Sequence, residues 1–98
     1  MPLYLELWHG RDYPDEQLDD WGKQGPVLGP FDYVHIVYLT HIQARYSNSD
    51  KVLDMDEIRI VNDLILYAGV YYGDCAIHSE ETVKSSEVLQ RLLVEVQR

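Results

Sequence analysis

Four histidines, one cysteine and a surplus of carboxylates are the side chains of this chain that could do chemistry. Cys75 and His78 are three residues apart and follow Asp74. A thiol, an imidazole and an acid can make a nucleophilic site. A lone cysteine in an apolar stretch is more often a small core residue, and that is the expectation here. His35 and His41 would share one face of an extended strand, but about 20 Å apart, too far to chelate one ion. His9, Arg11 and Asp12 stand where a chain would leave a sheet edge, with Asp19 and Asp20 further on. A histidine among acids can do general acid–base work or hold a metal. Asp50, Asp54, Asp56 and Glu57 have a cation-loop flavour, yet lack the central glycine and distal glutamate of an EF-hand. Lys23 lies in Gly22-Lys23-Gln24-Gly25-Pro26, which is not the order of a phosphate-cradling loop. No residue is assigned a catalytic role, and no metal or cofactor is expected.

The carboxylates also set the charge. There are 17 Asp plus Glu against 8 Lys plus Arg, a formal net charge of −9. Such a chain repels nucleic acid and anionic membranes and is drawn to basic surfaces. Eight tyrosines and two tryptophans are present. Nucleic-acid readers set such aromatics among basic residues, and here the basic side is missing. The acids are unevenly spread. Residues 1–30 carry −4, residues 50–67 carry −3, and residues 31–49 are neutral. Carboxylates beside aromatic anchors suit a protein interface, and a run of them can occupy a groove built for phosphates.

These residues need elements to hold them. Ninety-eight residues suit one domain, 1–98. Pro2 to Trp8 alternates, with Leu3, Leu5 and Leu7 on one face and Tyr4, Glu6 and Trp8 on the other, a half-buried strand. His9 to Pro30 holds four of the six glycines and three of the four prolines. That composition predicts a long ordered loop pinned by its own aromatic side chains. Phe31 to Tyr46 reads as the longest strand. Val34, Ile36, Tyr38, Ile42 and Ala44 would face the core, and His35, Val37, Leu39, His41, Gln43 and Arg45 the other side. Short strands follow over 58–61, 64–67 and 70–77. Asn62-Asp63 and Ala68-Gly69 break them, and Gly73-Asp74 would be a bulge or turn. Ser79 is a good cap for a helix running to Arg98, with Val88, Leu89, Leu92, Leu93 and Val96 as its apolar stripe. The expected fold is α+β: a mostly antiparallel four- to five-stranded sheet, a C-terminal helix on one face and a long ordered N-terminal loop. The stripe could alternatively form a homodimer contact.

One cysteine allows no internal disulfide, so the fold does not need an oxidising compartment. Met1 to Trp8 has no basic start, and the longest nearly apolar run, Leu64 to Gly73, is too short to span a bilayer. The host cytoplasm is the expected location.

Glu6-Leu7-Trp8-His9-Gly10-Arg11, Asp19-Asp20-Trp21-Gly22, Gly25-Pro26 and Tyr71-Tyr72-Gly73-Asp74 resemble a group of small uncharacterised bacterial mobile-element proteins. That group is associated with plasmids, integrative elements and phages. The resemblance covers the first third and the late YYGD segment, and it implies a mobile-element setting without established catalytic residues. By analogy with the small acidic proteins such elements use to block host nucleases, including anti-CRISPR proteins, the expected function is inhibition by binding. The expected partner is a basic protein surface, part of a nucleic-acid-binding complex. The expected contacts are Asp12, Tyr13, Asp15, Glu16, Asp19, Asp20, Asp54, Asp56 and Glu57. Direct nucleic-acid binding, membrane association and enzymatic activity are not expected. The alternative is a small enzyme or ligand-binding domain whose site joins the His9-Gly10-Arg11 turn to the Tyr71–Asp74 turn. A third role for the same motifs is to lock the long loop onto the sheet, with Trp21 plugging the core.

Overall fold

In a computed structural model of the chain, residues 2–9, 24–37, 41–47, 49–54 and 56–94 are described. Strands β1 (Leu3–Trp8), β2 (Gln24–Val37), β3 (His41–Tyr46), β4 (Val52–Leu53), β5 (Ile58–Val61), β6 (Leu64–Tyr67), β7 (Val70–Tyr72) and β8 (Asp74–Ser79) precede α1 (Glu80–Lys84) and α2 (Glu87–Arg91). All strands join one antiparallel sheet in the order β7-β6-β5-β3-β2-β1-β8, with β4 beside β3. The expected four- to five-stranded sheet under one C-terminal helix is therefore incorrect. The described residues are mostly strand, with two short helices.

The ends of that order, β7 and β8, are separated in sequence by Gly73 alone. The sheet must curl until its two edges meet. One bent strand, 70–79, pairs with β6 before Gly73 and with β1 after it. Inside the curl lie Leu5, Leu7, Leu28, Phe31, Ile42, Ala44, Tyr46, Leu53, Ile58, Ile65 and Tyr72. The β5–β6 and β6–β7 connections are two-residue hairpin turns. Asn62 and Asp63 (φ 50° and 65°) and Ala68 and Gly69 (φ 52° and 78°) take the positive φ that such turns require.

Two expected elements are redrawn. The first half of β2 runs through Gly25-Pro26 and Gly29-Pro30, placed by composition in a loop. Each Gly-Pro pair coincides with a register shift against β1, where two residues of β2 oppose one of β1. Bulges are where strands tolerate Pro and Gly. A Cβ on Gly25 would lie 2.6 Å from the Leu7 carbonyl oxygen and 2.7 Å from Cε1 of Tyr72, so the close approach needs a glycine. The supposed single strand Phe31 to Tyr46 is a hairpin with Val34 opposite Ala44 and Ile36 opposite Ile42. Directly opposed residues share a face, so Val34, Ile36, Ile42 and Ala44 stay together as expected although the strand folds back. Ile36, however, is 41% exposed and not core, and Tyr38 and Leu39 lie outside the described residues.

The helix expected from Ser79 to Arg98 breaks into α1 and α2. Ser79 Oγ accepts the Thr82 N–H at 3.2 Å, as expected of a cap. Ser86 Oγ accepts the Leu89 N–H at 3.2 Å and starts a second helix, and Gln90 Nε2 donates to the Lys84 carbonyl at 2.6 Å. The chain then runs beside β2: Val27 donates to the Leu92 carbonyl at 3.0 Å, and Val94 donates to the Val27 carbonyl at 2.9 Å. The break turns Val88 outward. Val83, Leu89, Leu92 and Leu93 cover Tyr4 and Val27 on the outer face of the sheet. Both faces of β1 are thus buried. Among the described residues no helix is long and apolar enough to cross a membrane.

Candidate protein-binding site

Of the expected contact residues, Asp12, Tyr13, Asp15, Glu16, Asp19 and Asp20 lie outside the described residues, as do Arg11 and Trp21. Asp54, Asp56 and Glu57 lie together in the turn between β4 and β5. This turn is organised by Asp54. Its carbonyl oxygen accepts the N–H of Glu57 (3.0 Å) and of Ile58 (2.9 Å), and its Oδ1 accepts the N–H of Asp56 at 3.0 Å. Asp54 is committed to the backbone, which thrusts Asp56 and Glu57 out into solvent.

Asp56 and Glu57 form one wall of a cleft of about 470 Å³ completed by Arg59, Leu66, Tyr67, Ala68 and Gly69. The β6–β7 turn closes its far side. Burial, reinforced by Glu57, raises the Tyr67 hydroxyl above its ordinary range. Tyr46, inside the curl, is pushed up to about 12, first by burial and then by Tyr67 and Glu57. The Lys51 ammonium stands 5.6 Å from the centre of the Tyr46 ring. Both phenols therefore keep their protons at neutral pH. The cleft offers two carboxylates against one guanidinium, Arg59, with a phenol and the apolar Leu66 and Ala68 beside them. That combination suits a cationic side chain with an apolar stem.

A second cluster lies where the sheet closes. Trp8 is opposite Asp74, and the Gly73 N–H donates to the Trp8 carbonyl at 2.9 Å. The His9 and Tyr72 rings are 4.8 Å apart, tilted by 41°. Gly25 packs against the same Tyr72 ring. Residues of three separated motifs, Trp8 and His9, Gly25, and Tyr72 to Asp74, are thereby brought together.

The Cys75–His78 pairing is not formed. The two alternate along β8, Cys75 packing against the inner core while His78 Nε2 lies 2.7 Å from Glu6 Oε1. Burial and Asp74 push the Cys75 thiol up, which is the wrong direction for a nucleophile. The separation expected between His35 and His41 is also overturned. They lie on paired strands, with His35 opposite Gln43 and His41 opposite Val37, hence diagonal neighbours. Among the described residues no group of three His, Cys, Asp or Glu is placed to hold a metal ion. Sequence reasoning missed Glu6, which is 1% exposed. Its place on the Tyr4–Trp8 face reads as solvated in sequence, whereas that face is covered and Glu6 meets His78 of β8 there.

No protein-family model, curated protein or solved structure matches the chain.

Proposed function

We propose that this chain is a non-enzymatic binding protein that docks acidic, tyrosine-bearing surface onto a basic protein and inhibits it. The partner would be a protein that handles nucleic acid, and the setting a mobile element or phage. The observation that carries this is the cleft at the β4–β5 turn, where Asp56 and Glu57 stand exposed beside Tyr67 in a chain of net charge −9. Carboxylates held by a self-contained turn are preorganised for a cationic partner without serving the fold. Asp12, Tyr13, Asp15, Glu16, Asp19 and Asp20 are proposed as further contacts to the same partner. The test is capture of binding proteins from extracts of the native host, with wild-type chain and two charge reversals, Asp19→Lys with Asp20→Lys and Asp56→Lys with Glu57→Lys. The expected result is a captured basic protein that DNA or RNA displaces and that both reversals fail to retain. Retention by both reversals would overturn it.

A second reading is a ligand site at the sheet closure. The packing of His9 on Tyr72, with Trp8 opposite Asp74, favours it, since it brings one residue of the first motif against the second. The same contacts serve equally to lock the closure, and His9→Ala separates these roles. Lost stability marks a lock, whereas unchanged stability with lost ligand binding marks a site.

A further inference from the structure

β1 begins at Leu3, opposite Phe31 of β2. Beyond Phe31 the strand continues, and residues 32–36 keep β3 on one side only. On the β1 side no strand of the described residues pairs with them. Their outward N–H and C=O groups therefore form a sheet edge, which is a template for another strand. Tyr33 on the outer face and Ile36 on the inner face are 45% and 41% exposed. Past Asp32 the segment holds no charged residue and no proline, the usual guards of such an edge.

We propose that residues 32–36 pair antiparallel with the same residues of a second copy, joining two curled sheets edge to edge in a two-fold dimer. Charge selects this occupant. The chain carries −9, but residues 31–49 are neutral, their Asp32 and Arg45 being ion-paired at 3.1 Å. Two copies repel over most of their surface and can approach only where charge is absent. The outer edge of β8 does not qualify, because Asp74 begins that strand and Glu80 and Glu81 follow it. A two-fold axis through an antiparallel pair keeps each face on its own side. Centred at His35, it sets Val34 of each copy against Ile36 of the other and shields the exposed apolar groups on the inner face. Five residues of edge bury little area, so the association is weak and reversible. It grows stronger with salt, which screens the mutual repulsion.

Sedimentation equilibrium of the full chain over a concentration series, at low and high salt, tests this. The expected result is a monomer–dimer equilibrium that tightens with salt. Ile36→Lys and Tyr33→Lys, each on a different face and each partly exposed in the monomer, should weaken it about tenfold or more with unchanged circular dichroism. Hydrogen exchange should show concentration-dependent protection confined to residues 32–36. A chain that stays monomeric at about 1 mM in high salt overturns the proposal. So does a dimer that both variants leave intact, or whose protection lies elsewhere.

Discussion

Glu6 Oε1 and His78 Nε2 meet at 2.7 Å on the outer face of β1 and β8, with Glu6 1% exposed. An ionised carboxylate only accepts, so with Glu6 charged the imidazole Nε2 is the donor of this bond. Glu6 is opposite Val27 and Ala76, and His78 is opposite Tyr4, so the bond runs diagonally between strands. A buried carboxylate survives because it is hydrogen-bonded, and losing a donor removes part of what offsets its desolvation. His78→Ala should therefore destabilise the fold by about 2–3 kcal/mol. Glu6→Gln keeps an acceptor for His78 and should cost only about 1 kcal/mol. Urea denaturation of the two variants checks the order. Equal losses would mean that the pair contributes little beyond packing.

Gly25 and Gly69 make a matched pair. A Cβ on Gly25 meets the Leu7 carbonyl oxygen at 2.6 Å, and strand backbone cannot step aside. Gly25→Ala should cost about 2–4 kcal/mol by forcing β1 and β2 apart where the sheet closes. At Gly69, φ is +78° and nothing lies within 4 Å of a built Cβ. Gly69→Ala meets only the backbone penalty, about 1 kcal/mol. Thermal unfolding of both proteins measures the difference.

Tyr46 gives a pH dependence whose sign follows from its environment. Its hydroxyl is pushed from 10.0 up to about 12 by burial, with help from Tyr67 and Glu57. Between those values the unfolded chain releases the proton while the folded one retains it. Stability is then fully present below pH 10 and falls as pH rises toward 12. Tyr46→Phe should flatten that fall, and Glu57→Gln should bring the titrations of Tyr46 and Tyr67 down together. Urea midpoints against pH and absorbance titration of the phenols are the measurements. An unchanged alkaline slope in Tyr46→Phe would remove Tyr46 from the account.

What sequence could reveal about this fold depended on whether a signal was local. Alternation placed Leu5 and Leu7 on one face and Tyr4 and Glu6 on the other, and both sets lie as read. Asn62-Asp63 and Ala68-Gly69 were legible as turns because a two-residue hairpin demands positive φ. Ser79 was legible as a cap because its partner is three residues away. Curling was not legible, since it depends on Gly73 handing one strand from β6 to β1, far apart in sequence. The fold-back between Val37 and His41 left the hydrophobic phase intact and so no trace in periodicity. Gly25-Pro26 and Gly29-Pro30 read as loop because bulges use the same residues as loops. At the candidate site, Asp54, Asp56 and Glu57 were found as a cluster. Their division of labour required knowing which backbone N–H groups Asp54 accepts.

That division yields the test that separates fold from function at the cleft. Asp54 Oδ1 accepts the Asp56 N–H at 3.0 Å, and its side chain is only partly exposed. Asp54→Ala should loosen the turn and cost about 1 kcal/mol, as losing a capping acceptor does. Asp56 and Glu57 are exposed on the cleft wall, and in a chain of −9 their charges repel the rest of the molecule. Asp56→Asn with Glu57→Gln should leave stability within about 0.5 kcal/mol of wild type, or raise it. Carboxylates dispensable to the fold yet required for binding would mark the turn as a docking element. Urea denaturation and partner capture on the same two proteins read out both halves. If the Asn/Gln protein is instead strongly destabilised, the acids are structural and the docking role passes from this turn.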